Sequence, residues 1–237
     1  MHQSNLARPD VPGTDIKGHR GPLQYRCGYC SKIALKLSFC SGCNVVRYCS
    51  KDHQILHRPQ HNSACIKTKK RRTKLAKKEE LFRNATPNFT TSANASASNI
   101  RHSWALLSVL STRDDTIAKL DLAETIRSLH TLDGVQEALA HLRDILRLCR
   151  GNNVGVQDLI APIMLQLDLD QECCNFVKWY ETEGQRSNYH GGNMNLPCLD
   201  ANSANALESI DYMDQTSGSV YSISTIMLLK LKLLVDV

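Results

Sequence analysis

The sequence predicts a chain of two parts: a small module of irregular structure, carrying a short β-hairpin and short helices, and a mostly α-helical domain of helix pairs. Three observations lead there. Eight potential metal ligands, in regularly spaced pairs, lie within 39 positions: Cys27, Cys30, Cys40, Cys43, Cys49, His53, His61 and Cys65. From Ile100 onward, apolar residues recur with the period of an α-helix. Charge is also unevenly divided, with 18 Lys and Arg against 5 Asp and Glu in residues 1–83, and 11 against 18 in residues 84–237. Such asymmetry suggests two modules in different surroundings.

Composition sets the class. Of 237 residues, 42% are hydrophobic and 22% charged, an ordinary globular balance. No N-terminal apolar stretch resembles a signal peptide. The most apolar run, Ile226 to Val235, is too short for a bilayer and contains Lys230 and Lys232. The expectation is a soluble intracellular protein, of nucleus or cytoplasm, with no membrane association. Thiols are kept reduced there, so clustered Cys and His point to metal rather than disulfides.

The elements follow in order. Residues 1–22 are polar and rich in Pro and Gly, a disordered arm. Residues 23–65 hold the Cys/His module. Residues 66–83 read as a basic helix, and residues 84–99, small and polar, as a linker. Residues 100–237 form the α-helical repeat-like domain. Asp114 to His130 places Ile117, Leu120, Ala123, Ile126 and Leu129 on one stripe. Leu132 to Cys149 places Val135, Ala138, Leu139, Leu142, Ile145, Leu146 and Cys149 on one face, with Gly151 just past its end. The short link between these two helices favours an antiparallel pair. A second pair spans Val156 to Leu167, where Pro162 shortens or kinks the helix, and Asp170 to Glu183. Residues 184–218 read as a long loop, and a last helix as Ser222 to Val235. Helix pairs of this length resemble an α-solenoid of the tetratricopeptide type. The last helix carries Ile226, Leu228, Leu229, Leu231, Leu233 and Leu234, and in such an array it calls for a partner or a polar cap.

The paired Cys and His fit zinc, which takes four N or S ligands in a tetrahedron. Eight ligands make two closed sites, with no position left for substrate or catalytic water, so the role is structural. Gly28 and Gly42 inside the C-x-x-C knuckles suit the backbone angles of a tight turn. Cys49 and His53, four apart, share one face of a helical turn that Ser50 can cap. His61 and Cys65 repeat the spacing, with Pro59 placed as the first residue of a second short helix. His57 is four from both His53 and His61, so spacing alone allows any two of the three. It also leaves open whether ligands pair sequentially or interleave. The module's apolar complement is thin, so the metal carries its folding.

The run Cys40-Ser-Gly-Cys-Asn-Val-Val-Arg-Tyr-Cys-Ser-Lys-Asp-His-Gln, followed by His57, His61 and Cys65, resembles a MYND-type zinc finger. The resemblance covers residues 27–65 and implies an interleaved arrangement of two structural zinc ions. Cys27, Cys30, Cys49 and His53 would share one ion, and Cys40, Cys43, His61 and Cys65 the other, with His57 outside both. His53 stands where the family usually has Cys. Arg58 replaces a Trp that helps form a groove for proline-containing peptides in the family. Stretches such as Leu146-Arg-Leu-Cys-Arg-Gly-Asn-Asn-Val-Gly-Val and Asp170-Gln-Glu-Cys-Cys-Asn-Phe-Val-Lys-Trp-Tyr resemble fungal MYND-type proteins with a helical-repeat tail.

The resemblance implies a zinc-binding protein-interaction module, an adaptor or regulator with a protein or peptide partner. Residues 44–58, with Val45, Val46, Tyr48, Gln54 and Arg58, are the expected contact surface. The alternative is a DNA-associated transcription regulator. It would use the basic run Lys67, Lys69, Lys70, Arg71, Arg72, Lys74, Lys77 and Lys78, where nucleic-acid contact would be nonspecific and salt-sensitive. A methyltransferase remnant fits less well, and no catalytic motif is found, so the chain is not expected to be an enzyme. Cys149, Cys173, Cys174 and Cys198 read as buried free thiols, and Trp104 and Trp179 as core anchors.

Overall fold

This computed structural model describes residues 23–84, 110–148, 155–185, 198–199, 204–214 and 219–235. The expected arm at 1–22, nearly all of the linker, Trp104, Cys149 and Gly151 lie outside them. The module opens with a knuckle at Cys27 to Cys30. It continues into β1 (Ser38–Phe39) and β2 (Arg47–Tyr48), which pair antiparallel as Ser38 with Tyr48 and Phe39 with Arg47. Isolated bridges tie Arg26 to Ile33 and Cys27 to Arg47, so β2 is the strand on which the module converges.

One helix, α1 (Lys51–Asn84), follows. The separate short helices expected around Cys49–His53 and His61–Cys65, and the basic helix after them, are this single rod of 34 residues, about 51 Å long. Pro59 lies inside it rather than at a helix start. Proline removes one backbone donor; Pro59 and Ile55, the residue one turn before it, are both exposed. Water can therefore take the orphaned carbonyl. Ser50 caps the helix as expected, its Oγ accepting from His53 N at 3.2 Å.

Among its described residues the regular structure of the body is helical: α2 (Leu110–Arg127), α3 (Leu132–Leu148), α4 (Gln157–Gln166), α5 (Asp170–Glu181), a 3-10 turn (Glu183–Gln185), α6 (Asp211–Asp214) and α7 (Val220–Val235). Helix α2 packs between α1 and α3, α3 leads on to α4, and α4 and α5 pack together with α7 across them. The face expected on α3 is buried from Val135 to Leu146, and Trp179 is a core residue as expected. On α2 the stripe differs. Ile117 is exposed, while Ala118, Leu122, Ala123 and Ile126 are buried, because residues at a strict spacing of three drift around a helix of 3.6 residues per turn, and Ile117 and Ile126 end on opposite sides of it.

Charge explains how α1 meets the body. Arg71 and Lys74 both pair with Asp121 of α2, Lys78 with Asp114, and Glu79 with Lys119. Arg72 reaches Glu137 of α3 at 2.7 Å. Leu75 and Thr68 of α1 are buried. The basic excess of the first 83 residues and the acidic excess of the remainder thus meet within one molecule.

Candidate metal centre

The two knuckles are built alike. Ser31 donates its amide to Cys27 O at 2.9 Å, and Asn44 donates to Cys40 O at 2.9 Å. Each of these residues directly follows the second Cys of its knuckle and is left-handed, with φ of 57° and 55°. Asn is among the residues that adopt this conformation most readily. Sequence reasoning gave the conformational role to Gly28 and Gly42, but neither has a positive φ among the described residues. Their job is space. A Cβ on Gly28 would come within 2.5 Å of Val46 Cγ1, and one on Gly42 within 2.5 Å of Cys65 Sγ.

Knuckles and helix bring eight side chains into two groups. Cys27, Cys30, Cys49 and His53 form the first, and Cys40, Cys43, His61 and Cys65 the second, with the ligand atoms of each within 4.8 Å of one another. The grouping interleaves along the chain. Within the first, Cys30 Sγ lies 3.7 Å from Cys49 Sγ, and Cys27 Sγ lies 3.6 Å from His53 Nδ1. Within the second, Cys40 Sγ lies 3.7 Å from Cys65 Sγ, and Cys43 Sγ lies 3.4 Å from His61 Nε2. A zinc tetrahedron with ordinary bond lengths has S···S edges of about 3.8 Å and S···N edges of about 3.5 Å. The four spacings fit it, and a disulfide at about 2.05 Å is excluded. Cys49 Sγ and His53 Nδ1, at 2.8 Å, form a tighter edge.

Electrostatics agree with a cation between the donors. Burial opposes ionisation of Cys27, yet the amides of Cys30, Cys49 and Tyr29, with His53, bring it down to about 6. Once one thiolate forms, its neighbours resist. Lost solvation and the Cys27 and Cys30 sulfurs push Cys49 up to about 11. Burial and the Cys40 and Cys43 sulfurs push Cys65 up to about 12. Packed thiolates of this kind are relieved by a divalent ion. Burial, with His57 beside it, holds His61 down at about 4, so its imidazole is neutral and available as a ligand. Each group is thus a three-Cys, one-His site that fits one zinc ion.

The model of the MYND finger family matches residues 27–65. Those residues are a MYND finger. No curated protein and no solved structure matches the chain, so the finger's relationship is established without a fold relative for the helical body.

Around the finger's two sites lies a supporting shell. His57 belongs to neither group. Its Nδ1 is hydrogen-bonded to Tyr48 Oη at 2.9 Å, and its ring stacks on His61 with centroids 5.5 Å apart. Gln54 donates its side-chain amide to Cys40 Sγ at 3.7 Å. Sequence reasoning placed Gln54 on the contact surface; the signal it passed over was Gln54's seven-residue distance from His61, which puts both on one helix face. Val45, Val46 and Tyr48, offered as surface, are 0%, 4% and 1% exposed. They are the finger's small core. Among the side chains it shows to solvent are Ile33, Leu35 and Phe39 before the second knuckle, and Ile55, Leu56 and Arg58 on α1.

Sequence reasoning also passed over Arg47. Its guanidinium sits 4.4 Å from the Tyr25 ring centroid and 4.0 Å from that of Phe39, and it grips Asp133 at the start of α3. A lone cation in the run Val45-Val46-Arg47-Tyr48 was the available clue. Next to it Thr131 Oγ1 donates to Val45 O at 3.3 Å, and Gly134 lets Val45 approach so closely that a Cβ there would meet Val45 Cγ1 at 2.9 Å. The finger is docked on the α2–α3 turn.

Proposed function

We propose that this chain is a zinc-dependent protein-interaction module, an adaptor or regulator, in which Cys27, Cys30, Cys49 and His53 hold one ion and Cys40, Cys43, His61 and Cys65 the other. MYND fingers are generally interaction modules, and this one has two sets of four donors, each complete without water or substrate. That completeness carries the reading, because a closed zinc site folds a module and leaves no vacant position for chemistry. Bound zinc supplies about 10–16 kcal/mol of apparent folding energy per ion. The finger's own core of Val45, Val46 and Tyr48 is far too small to replace it. The chain is accordingly read as a non-enzyme.

The proposed partner is a protein or peptide that docks on the exposed apolar side chains Ile33 and Leu35 together with Ile55 and Leu56. Arg58, in place of an aromatic residue, argues against the family's proline-peptide groove as the means. Panning a random peptide library against the zinc-loaded chain tests this. Selected peptides should lose affinity when a chelator is added and when Leu35→Ser is introduced. Peptides that bind equally well to the metal-stripped chain would overturn the reading.

A nucleic-acid role for the basic run is the second reading. Lys67, Lys69, Lys70 and Lys77 are exposed on α1 and support it. Arg71, Arg72, Lys74 and Lys78 are engaged with carboxylates of the body and weaken it. A localisation in nucleus or cytoplasm accords with either reading. No helix among the described residues is long and apolar enough to cross a membrane.

A further inference from the structure

The last described helix is apolar on its outer face as well as its inner one. The charged residues of α7 are Lys230 and Lys232, and both turn toward the molecule. Lys230 Nζ donates to the carbonyls of Ala206 and Glu208 at 2.9 and 2.7 Å. Lys232 Nζ reaches Asp168 at 2.7 Å and Asp170 at 2.8 Å. Thr225, Ile226 and Leu229 are the buried residues of the helix. The outward face carries Val220, Tyr221, Met227, Leu228, Leu231, Leu234 and Val235, each between 54% and 83% exposed.

Their spacing is regular. Val220, Ser224, Met227, Leu231 and Leu234 succeed one another at steps of four and three, the seam of a coiled coil. Tyr221, Leu228 and Val235 run beside it at steps of seven. A stripe spaced this way can interdigitate with the same stripe on a facing helix. The seam spans 15 residues, about 22 Å.

We propose that α7 is a homodimer interface, packing on α7 of a second copy about a two-fold axis. An isologous contact sets one patch against itself. That is costly for a charged face and favourable for this one, which carries no charge. The seven exposed side chains offer an apolar area on the order of the 800 Å² per partner that a standard interface buries. A membrane surface is a poorer occupant. Interfacial helices flank their apolar face with Lys or Arg, and here both lysines are committed inward.

Sedimentation velocity on the zinc-loaded full chain tests this, across a concentration series. The wild type should sediment at twice the chain mass. Met227 lies at the middle of the seam, so Met227→Glu and Met227→Lys should each give monomers with unchanged helical circular dichroism and zinc content. An equimolar mixture of the two should recover the dimer. Ser224→Leu removes the polar step in the seam and should tighten the dimer by roughly tenfold. A wild type that stays monomeric at every concentration would overturn the proposal, whether or not it floats with phosphatidylcholine vesicles. So would Met227 variants that remain dimeric, or a Ser224→Leu chain that associates no more tightly.

Discussion

Arg47 of the finger and Asp133 of the helical body hold each other through two parallel hydrogen bonds, from Nε and Nη2 to the two carboxylate oxygens, each of 2.7 Å. The two residues are 86 positions apart, and their side chains are only 20% and 18% exposed. Fork-to-fork geometry and partial burial put this pair above an ordinary surface bridge. A double-mutant cycle with Arg47→Met and Asp133→Asn, read by urea denaturation of zinc-loaded protein, should give a coupling of about 1–3 kcal/mol. Strict additivity would mean the dock does not depend on this contact.

Gly42→Ala should cost the chain one zinc ion. The new Cβ would sit 2.5 Å from Cys65 Sγ, so the sulfur must leave its place in the second site. Native mass spectrometry should find one ion per chain where the wild type has two. Retention of both ions would show that α1 can shift to accommodate the methyl group.

Of the eight cations in the basic run, four are structural and four are not. Arg71→Ala and Arg72→Ala should each lower stability by about 0.5–1 kcal/mol, since their side chains are about a third exposed and screened by water. Lys67→Ala, Lys69→Ala, Lys70→Ala and Lys77→Ala should stay within about 0.5 kcal/mol of wild type. Nucleic-acid retention on a heparin or DNA column, if any exists, should follow the second set.

Glu137 gives the α1–α3 contact a pH dependence. Burial raises its carboxyl, but hydrogen bonds from His141 and Arg72 outweigh that and hold it below the ordinary glutamate range. A group depressed in the folded state stabilises above its unfolded value, and the contribution disappears as pH falls through the folded one. The stability gap between wild type and Glu137→Gln should therefore be largest near neutrality and close on acidification. A gap that widens in acid would contradict the ion pair's role.

The two Cys/His groups were legible because metal coordination imposes fixed residue types at fixed spacing. Helix α3 was legible for a related reason: its period is clean and one face is buried. The single helix α1 was not, since ligands four apart sit equally well on two short helices or on one long one, and Pro59 resembles a helix start as much as an exposed interior position. Val45, Val46 and Tyr48 misled because a module this small has almost no core, so its few apolar residues look available for a partner. The match between Arg71, Arg72, Lys74 and Lys78 and the acids of α2 and α3 lay in the charge counts. Only the packing shows that the two excesses answer one another.

The interleaving of the two metal groups has a practical outcome. The stretch from Ser31 to Phe39 joins a knuckle of one group to a knuckle of the other, while α1 supplies residues to both. Proteolytic scission in that stretch would leave an amino-terminal piece still fastened through Cys27 and Cys30 to the remainder. The severed halves should travel together through gel filtration and separate only once a chelator is added.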